Sequence, residues 1–523
     1  MNTIKISVEK RYLVIPISSH AELRSIRIKL DGKLYCDFSA RLDFDTAETC
    51  SVYDASSILG KTVEIEVAPG IDISGFAGSQ TDEYKLKEYN TRPAAHFTTP
   101  FGWINDPNGL VVYTSKKTGK TTYHLFCQHN PYDYIWGNMH WAHAVSEDLM
   151  HWEYRGIALA PDENGTMFSG SAVVDTENRS GLKNGEEDAI LLYYTCAGNT
   201  SVLSEGKKFT QCLAYSTDGG ETFTKYEKNP IVGHIAADNR DPKVIWCAEL
   251  GCYIMAIYLD GNEYCLLVSD DLLNWSELQR VHIEGDAECP DIYPLTASDG
   301  GRKWVISGAS HHYIVGEFVD GKFAHCGETK ALNYGRTSYA AQTYSYPNEE
   351  RRIQLAWDRD IRFGDAPICG QMGIPCEMSL TEYNGEYYLS AYPTVECENC
   401  LETVAELDNV SGSVSLALEN GAYTVEAELD DNFTSAVIEL FGQKITMDGK
   451  SNTIRVYENE IPLTLDGCEK RVLFVADRGT LEIFVGGGRA VTTIPWAYDT
   501  DKCKCVSDTC GKIKKLTVKE IKL

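Results

Sequence analysis

NDPNGLVVY, residues 105–113, opens on small and polar side chains and turns within five positions into an apolar, β-branched run. Four later segments repeat that change: SGSAVVD from Ser169, RDPKVIW from Arg240, CPDIYPL from Cys289 and AAQTY from Ala340. Their starts lie roughly 50 to 70 residues apart, the length of one four-stranded propeller blade. A second repeat interleaves with the first. Ser146-Glu-Asp148-Leu149-Met-His-Trp152 matches Ser269-Asp-Asp271-Leu272-Leu-Asn-Trp275 position for position, and Ser216-Thr-Asp218-Gly-Gly220 with Phe223 is a looser third copy. Each copy follows an apolar strand and precedes an aromatic residue. The two repeats together predict a five-bladed β-propeller over residues 91–395, with the polar openings as the innermost strands lining a central channel. A large sandwich whose periodicity is coincidental would not supply five matched openings.

Outward from this region the chain stays β-rich. Long amphipathic helical patterns are almost absent, and short alternating runs broken by Gly, Asn, Asp and Pro recur throughout, so the fold class is all-β. Residues 1–90 (TIKISV, SIRIKL, KLYCDF, VEIEV) read as a small N-terminal β-domain. Residues 396–523 carry seven alternating runs, from VSLALE to KLTVKEI, and read as a C-terminal β-sandwich.

The 523 residues suffice for several separate cores. Lys and Arg number 48 against 76 Asp and Glu, a formal charge of −28 that argues against nucleic acid and anionic membrane as partners. No apolar run approaches the about 18 residues of a membrane span. The N-terminus alternates like a strand and lacks the apolar core of an export signal, so the expected compartment is the cytoplasm and the 18 cysteines are expected as thiols. Cys397-x-x-Cys400 and the group Cys503, Cys505, Cys510 lack a second ligand pair at zinc-finger spacing, so no metal is expected. Oligomeric state is left open.

Three carboxylates stand at the openings of different blades: Asp106, Asp241 and Glu288. Singly, each motif is explained by structure: NDPNG is a turn sequence, RDP a bend, ECPD a strand ending at proline. Convergence on one channel is what glycoside cleavage requires. One carboxylate attacks the anomeric carbon while a second protonates the leaving oxygen, and a retaining enzyme sets the pair roughly 5 Å apart. The nucleophile must stay ionised and the acid protonated, a division that neighbouring negative charge assists.

WINDPNG, FCQHNP (126–131), WGNMHWAHAVSEDLMHW (136–152), FSGSAVV (168–174), RDPKVIW (240–246) and ECPDIYPL (288–295) closely resemble glycoside hydrolase family 32, as does the approach RPAAHFTTPFGW (92–103). That family contains invertases, inulinases, levanases and fructosyltransferases. The resemblance covers about 300 residues in the family's order. It implies Asp106 as the nucleophile that forms a fructosyl-enzyme intermediate, Glu288 as acid/base and Asp241 as the carboxylate that holds fructose hydroxyls in the transition state. It implies a fructose subsite lined by Asn105, Gln128, Trp136, Phe168, Ser169, Arg240 and Trp357, with Arg240 orienting Asp241; for Trp357, blade packing is an equal alternative. Cys127 departs from the family's usual Tyr and Asn333 from a common Asp on the leaving-group side. The expected reaction is retaining hydrolysis of terminal β-fructofuranosides such as sucrose, fructo-oligosaccharides or fructans, without cofactor or metal and with a small carbohydrate as the partner. Fructosyl transfer, an inactive fructan-binding protein, or an inverting arabinan- or xylan-cleaving relative are the alternatives.

Overall fold

The computed structural model describes residues 1–85, 89–346 and 351–523, and among them Val395–Asn399 is the single α-helix in a chain otherwise of β-strands. Three meanders form separate four-stranded antiparallel sheets; they begin with Thr166–Asp175, Arg240–Cys247 and Asp291–Thr296. The sheets that begin with Gly102–Thr114 and Ser338–Thr343 are joined into one of nine strands, because Ile368–Met372 pairs in parallel with Gly102–Thr114. That pairing locks the end of the region to its beginning. The five leading strands contact each other in sequence, and the last returns to the first. The polar openings recognised in the sequence are therefore the inner ring of a β-propeller.

Polar side chains stitch this ring. Asn108 Oδ1 accepts from Gly170 N (3.2 Å), and Ser171 Oγ donates to Pro242 O (2.8 Å) while accepting from Val244 N (2.9 Å). Lys243, 1% exposed, pairs with Asp291 at 3.0 Å and donates to Thr343 O at 2.5 Å. Asp291 in turn accepts from Thr343 N (2.7 Å), and Ser345 completes the circle by pairing with Leu110 and Val112. Buried polar groups in contact with inner strands must be satisfied in this way, or each would cost on the order of 1–3 kcal/mol.

The second repeat is the turn between the third and fourth strands of a sheet. In all three copies a serine hydroxyl and an aspartate at the next position but one hold each other, and the aspartate accepts backbone N–H bonds from the residues that follow. The residue after that aspartate lies in the left-handed region: Leu149 at φ 65°, Leu272 at 66° and Gly219 at 82°. The third copy looks looser in sequence because it meets the same backbone requirement with glycine.

In the N-terminal domain, the four predicted strands, Asn2–Ser7, Arg24–Leu30, Lys33–Ala40 and Thr62–Val67, form one sheet. A second sheet of Thr49–Asp54, Tyr12–Ile17 and Gln80–Thr81 shares its core of Ile15, Ile26, Phe38 and Ile65. The C-terminal sandwich holds ten strands rather than seven. Gln443–Asp448, Asn459–Pro462 and Ala490–Trp496 are the additions, and the last two carry proline at or next to their final residue. Strand Lys504–Ile521 serves both layers: its first part pairs with Ser435–Leu440 and its last part with Ala422–Leu429, with Gly511 at φ 98° between. The eighteen cysteines are all free, and no helix among the described residues is long and apolar enough to cross a membrane.

Propeller and sandwich are pinned by a buried charge. His96 Nδ1 lies 2.9 Å from Asp477 and Nε2 3.2 Å from Glu482, with Asp358 alongside. Burial alone would lower the imidazole pKa, but Glu482 and Asp477 outweigh it and hold the group up at about 10. Both ring nitrogens thus face carboxylates, and the cluster is an ion network between two domains. The folded pKa exceeds the unfolded value near 6.5, so this stabilisation is complete below pH 6.5 and disappears as pH rises toward 10. His96→Ala leaves buried carboxylates without their counter-charge and is expected to cost about 3–5 kcal/mol at pH 6. Denaturant unfolding checks this; a variant as stable as the wild type at pH 6 contradicts it.

Candidate active site

Asp106 and Asp241 sit where their strands are irregular, and Glu288 sits in the bend just before its strand. The register of Gly102–Thr114 against Thr121–Asn130 slips between Ile104 and Pro107, which bulges out Asn105 and Asp106. The second inner strand slips between Phe168 and Gly170 at Ser169, and the third between Arg240 and Lys243 at Asp241. Asp241 (φ 65°), Glu288 (59°) and Cys289 (36°) all occupy the left-handed region. For non-glycine residues that backbone costs about 1–3 kcal/mol each, and bulges of this kind re-aim side chains. The proline and asparagine of NDPNG and RDP, read alone as turn formers, are here the chemistry of bulges inside strands.

These irregularities bring the three carboxylates together. Cys289 Sγ touches both Asp106 (3.4 Å) and Asp241 (3.5 Å), and Cys289 N donates to Asp241 Oδ2 at 3.0 Å. Ser169 Oγ donates to Asp106 Oδ2 at 2.5 Å. Asn105, oriented by Trp103 Nε1 at 2.9 Å, supplies a second hydrogen bond to Asp106. Burial raises the pKa of Asp106, Ser169 and Asn105 oppose that, and Glu288 adds to it. Asp241 is pushed up to about 7 by burial, against the pull of Arg240 and with the help of Asp106 and Glu288.

Arg240 faces two carboxylates, Asp241 as the sequence suggested and Glu288 in addition. Its Nη2 donates to Glu288 Oε1 at 2.6 Å, whereas its Nε stands 3.7 Å from Asp241. The guanidinium reaches across to the next sheet while staying within ion-pair distance of Asp241, supported by the Tyr258 ring at 4.6 Å. Glu288 Oε2 accepts from Tyr339 OH at 2.7 Å. Glu288 is thereby held by a cation on one oxygen and a phenol on the other.

The remaining predicted residues fall into two groups. Gln128 is opposite the Asn105–Asp106 bulge, buried, with its Nε2 lacking a protein partner, and so is available to a ligand. Trp136, 56% exposed, meets Phe168 edge-on at 6.3 Å, and Phe168 meets Phe209 at 5.5 Å, forming an aromatic rim. Trp357 is buried beside the site, packed against Trp103 (5.8 Å) and Tyr339 (6.4 Å) with its indole N–H unpaired. Cys127 is buried beside Asp106, which with burial keeps it a thiol. Asn333 uses its amide on Gly335 and Ser338 within its own turn, so it organises a loop.

Tyr339, Cys289, Trp103 and Thr195 were not singled out from sequence. Cys289 and Trp103 lie inside quoted motifs, and Tyr339 directly precedes the AAQTY opening, so position alone could have marked them. Thr195, whose Oγ1 accepts from Asp241 N at 2.9 Å, comes from a second strand with no distinguishing signal.

Comparison with known proteins places this arrangement. The model of the glycosyl hydrolases family 32 N-terminal domain matches residues 96–393. A levanase of Bacillus subtilis (strain 168) is 31% identical over 474 residues, 80% of this chain and 68% of its own length. An invertase of Debaryomyces hansenii is 36% identical over 446 residues, 77% of this chain and 79% of its own. Among solved structures, a family 32 glycoside hydrolase from Bifidobacterium adolescentis aligns with a TM-score of 0.68 over 100% of this chain and 99% of its own, at 18% identity, which shows likeness of fold across all three regions.

Proposed function

The chain belongs to glycoside hydrolase family 32, and from that premise we propose that it removes terminal β-fructofuranosyl units from sucrose, fructo-oligosaccharides or fructans with Asp106 as nucleophile and Glu288 as acid/base. The observation that carries the reading is the meeting of Asp106, Asp241 and Glu288, from three different sheets, around Cys289 and Arg240.

In the first step Glu288, protonated, gives its proton to the leaving oxygen as Asp106 forms a bond to the anomeric carbon. In the second it takes a proton from water, which attacks that carbon and releases Asp106, so configuration is retained. Ser169 and Asn105 orient Asp106 and favour its ionised form. Asp241 presents an acceptor to fructose hydroxyls at a position fixed by Thr195 and Cys289. The hydrogen bonds of Arg240 and Tyr339 hold the Glu288 side chain in place between steps. Binding of levan or sucrose by relatives named levanase and invertase supports the substrate class.

Fructose release from sucrose, 1-kestose, inulin and levan tests this, with the product anomer followed by NMR. β-Fructofuranose as first product is expected; α-product, or no turnover of any β-fructoside, refutes the proposal. Kestose-type products at high sucrose would show transfer competing with hydrolysis. The same assay read against pH carries a further expectation. Asp241 is pushed up to about 7 by burial, so it becomes ionised only as pH rises through that value. As an ionised acceptor for fructose hydroxyls Asp241 works best above that value, so kcat/KM is expected to fall as pH drops below about 7, and a profile that stays flat across that pH would contradict it.

A further inference from the structure

We propose that the N-terminal domain is a positioning element of this site: Asp37, Ser39 and Arg41 grip the two loops that carry its aromatic rim. The inference rests on the fructosidase reading for its kinetic consequence, and on geometry for the grip itself.

Strand Lys33–Ala40 alternates as a strand must. Phe38 and Ala40 enter the core of the N-terminal domain, which leaves Asp37, Ser39 and the following Arg41 on the opposite side. All three make contacts to the propeller. Arg41 forms a fork with Asp133, Nε to Oδ2 at 3.0 Å and Nη2 to Oδ1 at 2.5 Å, while its own backbone N donates to Oδ2 at 3.0 Å. The Arg41 guanidinium also lies 4.3 Å over the Tyr134 ring. The Ser39 backbone pairs in both directions with the Asn138 amide, at 2.8 Å each way. Trp136 thus sits between two anchors, three residues after Asp133 and two before Asn138. Neighbouring Tyr132 is built into the N-terminal core, stacked on Phe38 at 4.2 Å.

Asp37 holds the second loop, accepting from Val202 N (2.8 Å) and Leu203 N (3.1 Å). In that loop Thr200 Oγ1 meets Thr166 Oγ1 at 2.8 Å, at the start of the inner strand that bears Phe168. Both partners of the Trp136–Phe168 contact are therefore tied to one strand of the N-terminal domain. Trp136 is mostly exposed and followed by glycine at φ 145°, so its own packing does not fix it. The bidentate pair is also the strong kind: Asp133 is fully buried and its guanidinium partner is largely so.

The grip predicts a separation of kinetic effects. Arg41→Ala is expected to raise KM for sucrose roughly tenfold with kcat nearly kept, because it displaces a binding wall and leaves the carboxylates alone. Trp136→Ala should do the same, and the double variant should be no worse than Trp136→Ala, since both remove one wall. Arg41→Lys, which keeps charge but loses the fork, should fall between. Hydrogen exchange of the 132–138 amides reads the grip without reference to activity, and should quicken in Arg41→Ala while the propeller strands keep their protection. Unchanged exchange of 132–138 overturns the grip, and so do multiplying effects of the two alanine variants on KM. A wild type that releases no fructose refutes the fructosidase reading instead, and the exchange experiment still decides the grip.

Discussion

Asp106→Asn should lower kcat for fructose release by on the order of 10⁴-fold or more while the protein folds as before. The substitution changes almost nothing except nucleophilicity. An amide has the shape of the carboxylate, and its oxygen can accept from Ser169 as Asp106 Oδ2 does. It cannot form the ester bond to the anomeric carbon. Burial raises the pKa of Asp106, which means that the ionised group is held in its site at a cost to the fold. A neutral amide removes that cost, so the variant is expected to unfold at the wild-type temperature or above it. Loss of activity together with lowered stability would point to a structural role for Asp106; activity within tenfold of wild type would remove it as nucleophile.

Glu288→Gln should lose on the order of 10²–10⁴-fold on sucrose, with a dependence on the leaving group that no other position in the site shares. An alkoxide leaving group needs a proton as the bond breaks, and glutamine has none to give. Fluoride leaves without one, so the first step with β-fructofuranosyl fluoride should proceed at close to the wild-type rate. The second step still lacks its base, and the intermediate should accumulate as a burst. Added azide, a nucleophile that needs no deprotonation, should then restore turnover. The variant keeps one acceptor, its amide oxygen, for Arg240, while the Tyr339 hydroxyl must turn to accept from the amide nitrogen; both substrates meet that same geometry, so the comparison between them reports proton transfer. Equal losses on sucrose and on the fluoride would place Glu288 outside the acid/base role.

The ring of inner strands was legible because each must present polar groups inward at its opening and apolar ones along its length, which leaves a readable change at NDPNG, SGS, RDP, CPD and AAQ. The Ser-x-Asp turns were legible for the same kind of reason: one local hydrogen-bond pattern recurs at three equivalent corners. Contacts that depend on backbone bulges were not. The Arg240–Glu288 pair, made in addition to the Arg240–Asp241 ion pair, joins residues 48 positions apart at a register slip that RDP does not announce. Tyr339 went unmarked because one tyrosine among 30 has no local signature. Of the three sandwich strands that were missed, two end at or next to a proline, which reads as a break in the alternation. The N-terminal grip was invisible for a different reason. Asp37, Ser39 and Arg41 read as the polar face of an ordinary half-buried strand, and their partners lie about 90 to 165 residues away.

The most direct test of the central claim is to quench Glu288→Gln in acid during reaction with β-fructofuranosyl fluoride and map the adduct by peptide mass spectrometry. The account predicts one anhydrofructosyl unit on the peptide that contains Asp106, located to that residue by fragmentation and absent from Asp106→Asn. An adduct on another residue, or rapid turnover with no adduct at all, would contradict it.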